Sequence, residues 1–159
     1  MARLILLVAL SFLPLLTSAR LIGNPFLLKG SVYCDTCRAG FETDATKYLH
    51  GARVRIECKD RDTLRLTYSD EAVTDSKGKY SVLVSDDHGD QMCDAILVSS
   101  PDPECAVPDK GRDRACVILT RSNGMTSDER FANAMGFLKN EPMAGCTQIL
   151  QKYQLNEDD

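Results

Sequence analysis

Residues 52–58 (ARVRIEC) alternate without a break, with small or apolar side chains at Ala52, Val54, Ile56 and Cys58 and charged ones at Arg53, Arg55 and Glu57. Successive side chains of a strand point to opposite faces, so this period of two predicts a strand with one wet face. Shorter runs of the same kind recur along the chain. Residues 27–33, 64–68 continuing through 71–74, 79–84, 92–98, 115–120 and 135–138 all read as strands. Between them lie turn signals. Asp75-Ser76-Lys77-Gly78 predicts a hairpin that pairs residues 72–74 with 80–82. Residues 85–91 (SDDHGDQ) and Ser122-Asn123-Gly124 read as polar turns. Residues 99–114 carry three prolines and read as a long loop with Cys105 in its middle. Ile149, Leu150 and Tyr153 have helical spacing, which predicts a short C-terminal helix within residues 146–155. About seven short strands and no long helix argue an all-β fold, an antiparallel β-barrel or sandwich. Tyr33, Phe41, Tyr48, Tyr68, Tyr80 and Phe137 are the expected aromatic core.

The N-terminus adds a compartment. Met1-Ala2-Arg3 puts a positive charge before an uncharged apolar run over residues 4–16, and Thr17-Ser18-Ala19 supplies small residues for cleavage. That is the pattern of a secretory signal peptide over residues 1–19. The run is shorter than the roughly 20 apolar residues that span a bilayer, and Pro14 interrupts it. Residues 20–159 are then expected to form one domain, secreted to the extracellular space, with no membrane insertion after cleavage. The full chain of 159 residues has a net charge of −4, no basic stripe and no Trp. These features argue against nucleic acid as a partner. The acidic residues 156–159 read as a solvated tail.

Seven cysteines, at 34, 37, 58, 93, 105, 116 and 146, follow the expected cleavage point. Cys34-Asp35-Thr36-Cys37 could be a redox dithiol, half of a zinc site or part of a disulfide framework. A redox dithiol needs a helix N-terminus, and Arg38-Ala39-Gly40-Phe41 does not open one. Zinc needs further ligands, and His50 and His88 are isolated in the sequence. Structural disulfides are therefore expected, as suits an oxidising compartment. If the strand runs through Cys37, the two cysteines lie about 10 Å apart on opposite faces and cannot pair with each other. A turn at Asp35-Thr36 would weaken that argument. An odd count leaves at least one cysteine free or bridging two chains. Cys116, inside the apolar run 115–120, is the expected free thiol, buried as a small hydrophobe. An intermolecular bridge would instead require it to be exposed.

Catalytic signatures are missing. There is no G-x-S-x-G elbow, P-loop or G-x-G-x-x-G, and no cofactor is expected. Asp86, Asp87 and Asp90 form the densest carboxylate group, a solvated turn or at most a weak Ca²⁺ site.

The segment Gly30-Ser31-Val32-Tyr33-Cys34-Asp35-Thr36-Cys37-Arg38-Ala39-Gly40-Phe41 resembles the signature of the Ole e I family, secreted plant proteins named for the major olive pollen allergen. The likeness continues through Gly51-Ala52, Cys58-Lys59-Asp60, Gly78-Lys79-Tyr80-Ser81, Cys93, Ser99-Ser100, Cys105, Gly136-Phe137 and Cys146. Gly30, Val32, Tyr33, Cys34, Asp35, Thr36, Cys37 and Arg38 are the motif positions. The resemblance implies a seven-stranded β-barrel or sandwich. It also implies disulfides Cys34–Cys105, Cys37–Cys146 and Cys58–Cys93, leaving Cys116 as an addition to the six-cysteine pattern. The family's glycan sequon maps onto Asn123-Gly124, where Met125 removes the acceptor hydroxyl, so no N-glycan is expected there. Lys29 stands where the family more often has an acidic or amide residue.

The function implied is a monomeric, non-enzymatic extracellular module of the pollen allergen type, with roles in pollen hydration, germination or tube growth. Candidate partners are a cell-surface receptor kinase ectodomain or a cell-wall component. The polar turn 85–91 and the loop 99–114, with Lys110, Arg112 and Arg114, are candidate contact surfaces. The alternatives are a secreted enzyme acting on wall polysaccharide through a carboxylate pair, and a carrier of a small apolar ligand.

Overall fold

The structure, a computed structural model, describes residues 25–153. The expected signal segment 1–19 and the acidic tail 156–159 lie outside these residues. Among the described residues ten strands and one helix occur in the order β1 (Phe26–Asp35), β2 (Lys47–Tyr48), β3 (Arg53–Asp60), β4 (Leu66–Val73), β5 (Lys79–Val84), β6 (Gln91–Ser99), β7 (Val107–Pro108), β8 (Arg114–Val117), β9 (Glu129–Phe131), β10 (Met135–Leu138) and α1 (Cys146–Gln151).

They form two sheets, one of four strands in the order β4-β3-β6-β8 and one of six built around β1. The four-stranded sheet is antiparallel throughout. The six-stranded sheet is mixed. The first half of β1 pairs with β5 antiparallel and with β9 in parallel, and its second half pairs with β2 antiparallel and with β10 in parallel. The expectation of about seven antiparallel strands is corrected by the short strands β2, β7 and β9 and by these two parallel pairings. Among the described residues the sheets do not close into a barrel.

The expected hairpin is also corrected. Residues 72–73 end β4, which pairs with β3, while β5 pairs with β1. Thr74 explains the divergence. Its backbone N–H donates to the Ala52 carbonyl at 3.0 Å, and its hydroxyl accepts from the Ala52 N–H at 2.9 Å and donates to the Leu49 carbonyl. These bonds commit the chain to residues 49–52 before the turn begins. The turn itself is present, closed by the Gly78 N–H to the Asp75 carbonyl at 2.9 Å.

The core sits between the sheets and follows the period of two. Val54, Ile56 and Cys58 of β3 face Phe26, Leu28, Val32 and Cys34 of β1, with Val82, Ala95, Val117, Met135 and Phe137 filling between them. Phe41 and Tyr48, expected in the core, are exposed instead. Phe41 packs edge-on against Tyr153, with ring centroids 5.3 Å apart. Tyr80 of β5 lies over Gly30 of β1, its register partner. A Cβ at Gly30 would sit 2.3 Å from the Tyr80 hydroxyl oxygen and 2.5 Å from its ring carbon. The Tyr80 hydroxyl is buried with no hydrogen-bond partner among the described residues, and burial raises its pKa above the usual tyrosine value.

These contacts predict two thermal melts. Gly30→Ala forces the Tyr80 ring to shift and should cost about 1–3 kcal/mol. Tyr80→Phe removes an unsatisfied buried group and should leave stability unchanged or raise it by about 1 kcal/mol. A clear loss of stability in Tyr80→Phe would show that the hydroxyl has a partner.

Candidate interaction surface

The signature segment straddles the end of β1. Val32 and Cys34 point into the core, while Tyr33 and Asp35, one step out of phase, point to the other face. They are nevertheless buried. The Tyr33 ring lies across β10, where a Cβ at Gly136 would meet its ring carbon at 2.8 Å. Burial pushes the Tyr33 hydroxyl up to about 12. Asp35 is fully buried, and its carboxylate accepts the backbone N–H groups of Cys37 at 3.2 Å and Gly40 at 2.7 Å. Its carbonyl accepts from the Lys139 N–H at 3.1 Å. A buried carboxylate accepting backbone donors forms charge-assisted bonds, so Asp35 folds the chain back sharply at the strand end.

The rest of the motif completes this fold-back. The Thr36 hydroxyl donates to the Ala45 carbonyl at 2.8 Å. Arg38, at a positive φ of 53°, donates from one guanidinium nitrogen to the carbonyls of Lys139 and Asn140, both at 3.0 Å. Gly30 admits the Tyr80 ring, as described above. Every motif position therefore serves the architecture.

The structure joins Cys34 to Cys105, Cys37 to Cys146 and Cys58 to Cys93. These are the pairs that the resemblance implies. The strand does not run through Cys37, because β1 ends at Asp35 and a turn follows. Cys34 and Cys37 diverge because one belongs to the strand and the other to the turn. Cys58 and Cys93 are directly opposite each other on β3 and β6.

His88 is not isolated. Its ring and the sulfurs of Cys58 and Cys93 lie within 4.8 Å of one another, a grouping that forms only in the fold. Both sulfurs are occupied by the disulfide. The His88 ring nitrogens face the Gln91 side-chain oxygen at 3.1 Å and the Ser85 carbonyl at 3.3 Å, and its ring packs beside Tyr68. The oxidised group is therefore a packing unit.

The carboxylates in turn 85–91 are loop builders. Asp87 accepts the N–H groups of Gly89 at 2.9 Å and Arg121 at 2.8 Å, and these bonds hold its carboxyl below the usual range. Among the described residues, Asp86, Asp87 and Asp90 form no metal-holding group.

Loop 99–114 is pinned at several points. Arg112 donates from Nε to the Gly40 carbonyl at 2.9 Å, so this residue holds the fold-back and is not free for a partner. Arg114 lies 3.8 Å from Asp94, and Lys110 is exposed. Asp109 has one carboxyl oxygen buried without a partner, and burial together with the Asp35 charge pushes its pKa up, against the opposing pull of Arg112 and Arg38.

Cys116 is free and exposed, which corrects its expected burial. The run 115–120 is a half-buried strand and its extension, not a buried plug. Ala115, Val117 and Leu119 take the core face, and parity leaves Arg114, Cys116 and Ile118 on the wet face. The strand β8 has β6 on one side. Among the described residues it has no strand on the other side.

A groove of about 520 Å³ runs over this wet face, between the β3–β4 hairpin and the turn 85–91. It gathers Lys59, Arg61 and Arg114 beside the apolar side chains of Leu64, Met92 and Ile118. A second concavity contains Glu104 and Glu141. Glu104 is bridged to Lys139 at 2.7 Å, which holds its carboxyl below the usual range.

A family model described as "Pollen protein Ole e 1 like" matches residues 24–154. The chain is 52% identical over 153 residues to Protein DOWNSTREAM OF FLC of Arabidopsis thaliana, covering 96% of this chain and 93% of that protein. It is 41% identical to Pollen-specific protein C13 of Zea mays, over 84% of this chain and 79% of that one. The crystal structure of the major plantain pollen allergen Pla l 1 superposes with a TM-score of 0.69 at 29% identity, covering 76% of this chain and 98% of that chain.

Asp109 gives a pH-dependent prediction. Its folded pKa is raised, so its contribution to stability is present below the ordinary carboxylate range and is lost as pH rises through the elevated value. Asp109→Asn should therefore melt higher than the parent at pH 7. The gain should shrink as pH falls toward 3. A difference that stays constant across that range would show that the Asp109 charge carries no penalty in the fold.

Proposed function

The chain belongs to the Ole e 1-like family of pollen proteins, and we propose that it acts outside the cell as a non-enzymatic interaction module contacting a cell-surface receptor or a wall component. The observation that carries this reading is the full engagement of the signature in architecture: both Asp35 oxygens are bonded and both signature cysteines are in disulfides. A catalytic centre needs groups free to meet substrate. The three disulfides support an oxidising, extracellular location.

The polysaccharide-cleaving alternative has weaker support. A glycosidase acid has its pKa raised in an accessible cleft, whereas Glu104 in its concavity is held down by Lys139. The Asp109 pKa is raised by burial and by the charge of Asp35, but one of its carboxyl oxygens is itself buried, away from substrate.

The test is a binding and turnover assay on one preparation. Secreted protein, labelled at its N-terminal amine, should bind plant cell surfaces saturably and be displaced by unlabelled protein. It should release no reducing ends from pectin or xyloglucan. Turnover of either polysaccharide that Asp109→Asn or Glu104→Gln abolishes would overturn the reading, as would a lack of saturable binding.

A further inference from the structure

We infer that the free edge of β8 and the groove beside it form a docking site for an extended, acidic segment of another protein, which adds as a fifth strand to the β4-β3-β6-β8 sheet. The inference rests on the interaction-module reading and names its surface and the chemistry of its partner.

The edge comes first. Among the described residues β8 pairs with β6 alone, through the register Cys93↔Val117 to Ile96↔Arg114. An edge strand presents a row of N–H and C=O groups that a further extended chain can pair with. Edges are commonly blunted by charges along the strand. Here Arg114 is the single charge, and the outward positions that follow are Cys116 and Ile118.

The groove supplies side-chain recognition. Leu64, Met92 and Ile118 line it and are 60%, 44% and 57% exposed. Leu64 adopts a positive φ of 56°, a strained conformation for a bulky residue, and it holds an apolar side chain in water. An added strand turns alternate side chains toward such a groove, which is how strand addition gains specificity.

Charge selects the occupant. The chain as a whole carries −4, yet Lys59, Arg61 and Arg114 line this groove against Asp94. Asp94 lies 3.8 Å from Arg114, Lys59 lies 3.3 Å from Glu57, and Arg61 reaches the Gly89 carbonyl at 3.4 Å. Two of the three cations thus have carboxylate partners, and Arg61 is left as the net positive charge. A second copy of this chain on the same edge would bring two such basic grooves to one seam, and like charges at an interface are unfavourable. An acidic segment gains instead. The site is also where both loop regions named from the sequence meet, with Gly89 from the turn and Arg114 from the end of the long loop.

The probe is a capped peptide alternating Glu with Val, and its control carries Lys in place of Glu. The expected result is saturable binding of the acidic peptide with slower maleimide labelling of Cys116 in its presence. Arg61→Glu/Arg114→Glu should weaken binding by about tenfold or more, while Lys77→Glu, on the distant turn, changes it less than about twofold. Both variants should melt with the parent, since all three side chains are exposed. Cys116→Ser should bind like the parent. Equal binding of the Lys peptide, an undiminished double variant or a β8-linked dimer in sedimentation would overturn the inference. The cell-surface assay separates the two claims. If the parent binds surfaces and the double variant binds equally, the groove is wrong and the module reading stands. If the parent fails to bind, the module reading has failed.

Discussion

The structure depends on the junction at Asp35, where a strand ends between two cysteines. Cys34 leaves the strand inward to meet Cys105, and Cys37 leaves the turn to meet Cys146. Between them the Asp35 carboxylate bonds the Cys37 and Gly40 N–H groups, and its carbonyl receives the chain just beyond β10. One short segment thus fixes the long loop, the C-terminal helix and the fold-back over Tyr33. The bridges span 71, 109 and 35 residues. In the chain-entropy account each loop closure of that size is worth about 4–5 kcal/mol, comparable with a large part of the roughly 5–15 kcal/mol that holds a domain together.

This concentration of structural roles sets the signature apart from the face where the docking site is proposed. The signature residues are buried or bonded to backbone, so they specify the frame. The exposed face of the four-stranded sheet carries little of that burden. Its outward positions, Cys116, Ile118 and Met92, can vary with less effect on the core, and there the chain departs from the six-cysteine pattern. Binding residues are commonly carried by exposed segments on a rigid scaffold.

Much of this frame was legible in the sequence, for identifiable reasons. The alternation of residues 52–58 marked β3, because a half-buried strand writes its period directly into the chain. The local turn at Asp75–Gly78 was legible, but the pairing around it was not. Thr74 commits its bonds to residues 49–52, a nonlocal choice that turn chemistry does not reveal. The parallel pairings of β1 with β9 and β10 join segments about a hundred residues apart, and β9 has only three residues in which to show a period. Cys116 faces water because one step along an apolar run separates the core face from the wet one. The His88–Cys58–Cys93 grouping had no sequence signal, since a turn and two strands assemble it.

The central claim is that the CDTC segment is a structural junction and not a reactive site. A non-reducing peptide map of the secreted protein with a free-thiol count tests it most directly. The account predicts bridges 34–105, 37–146 and 58–93 with one thiol, at Cys116. A reversible bridge between Cys34 and Cys37 would contradict it and make redox chemistry the working explanation of the motif.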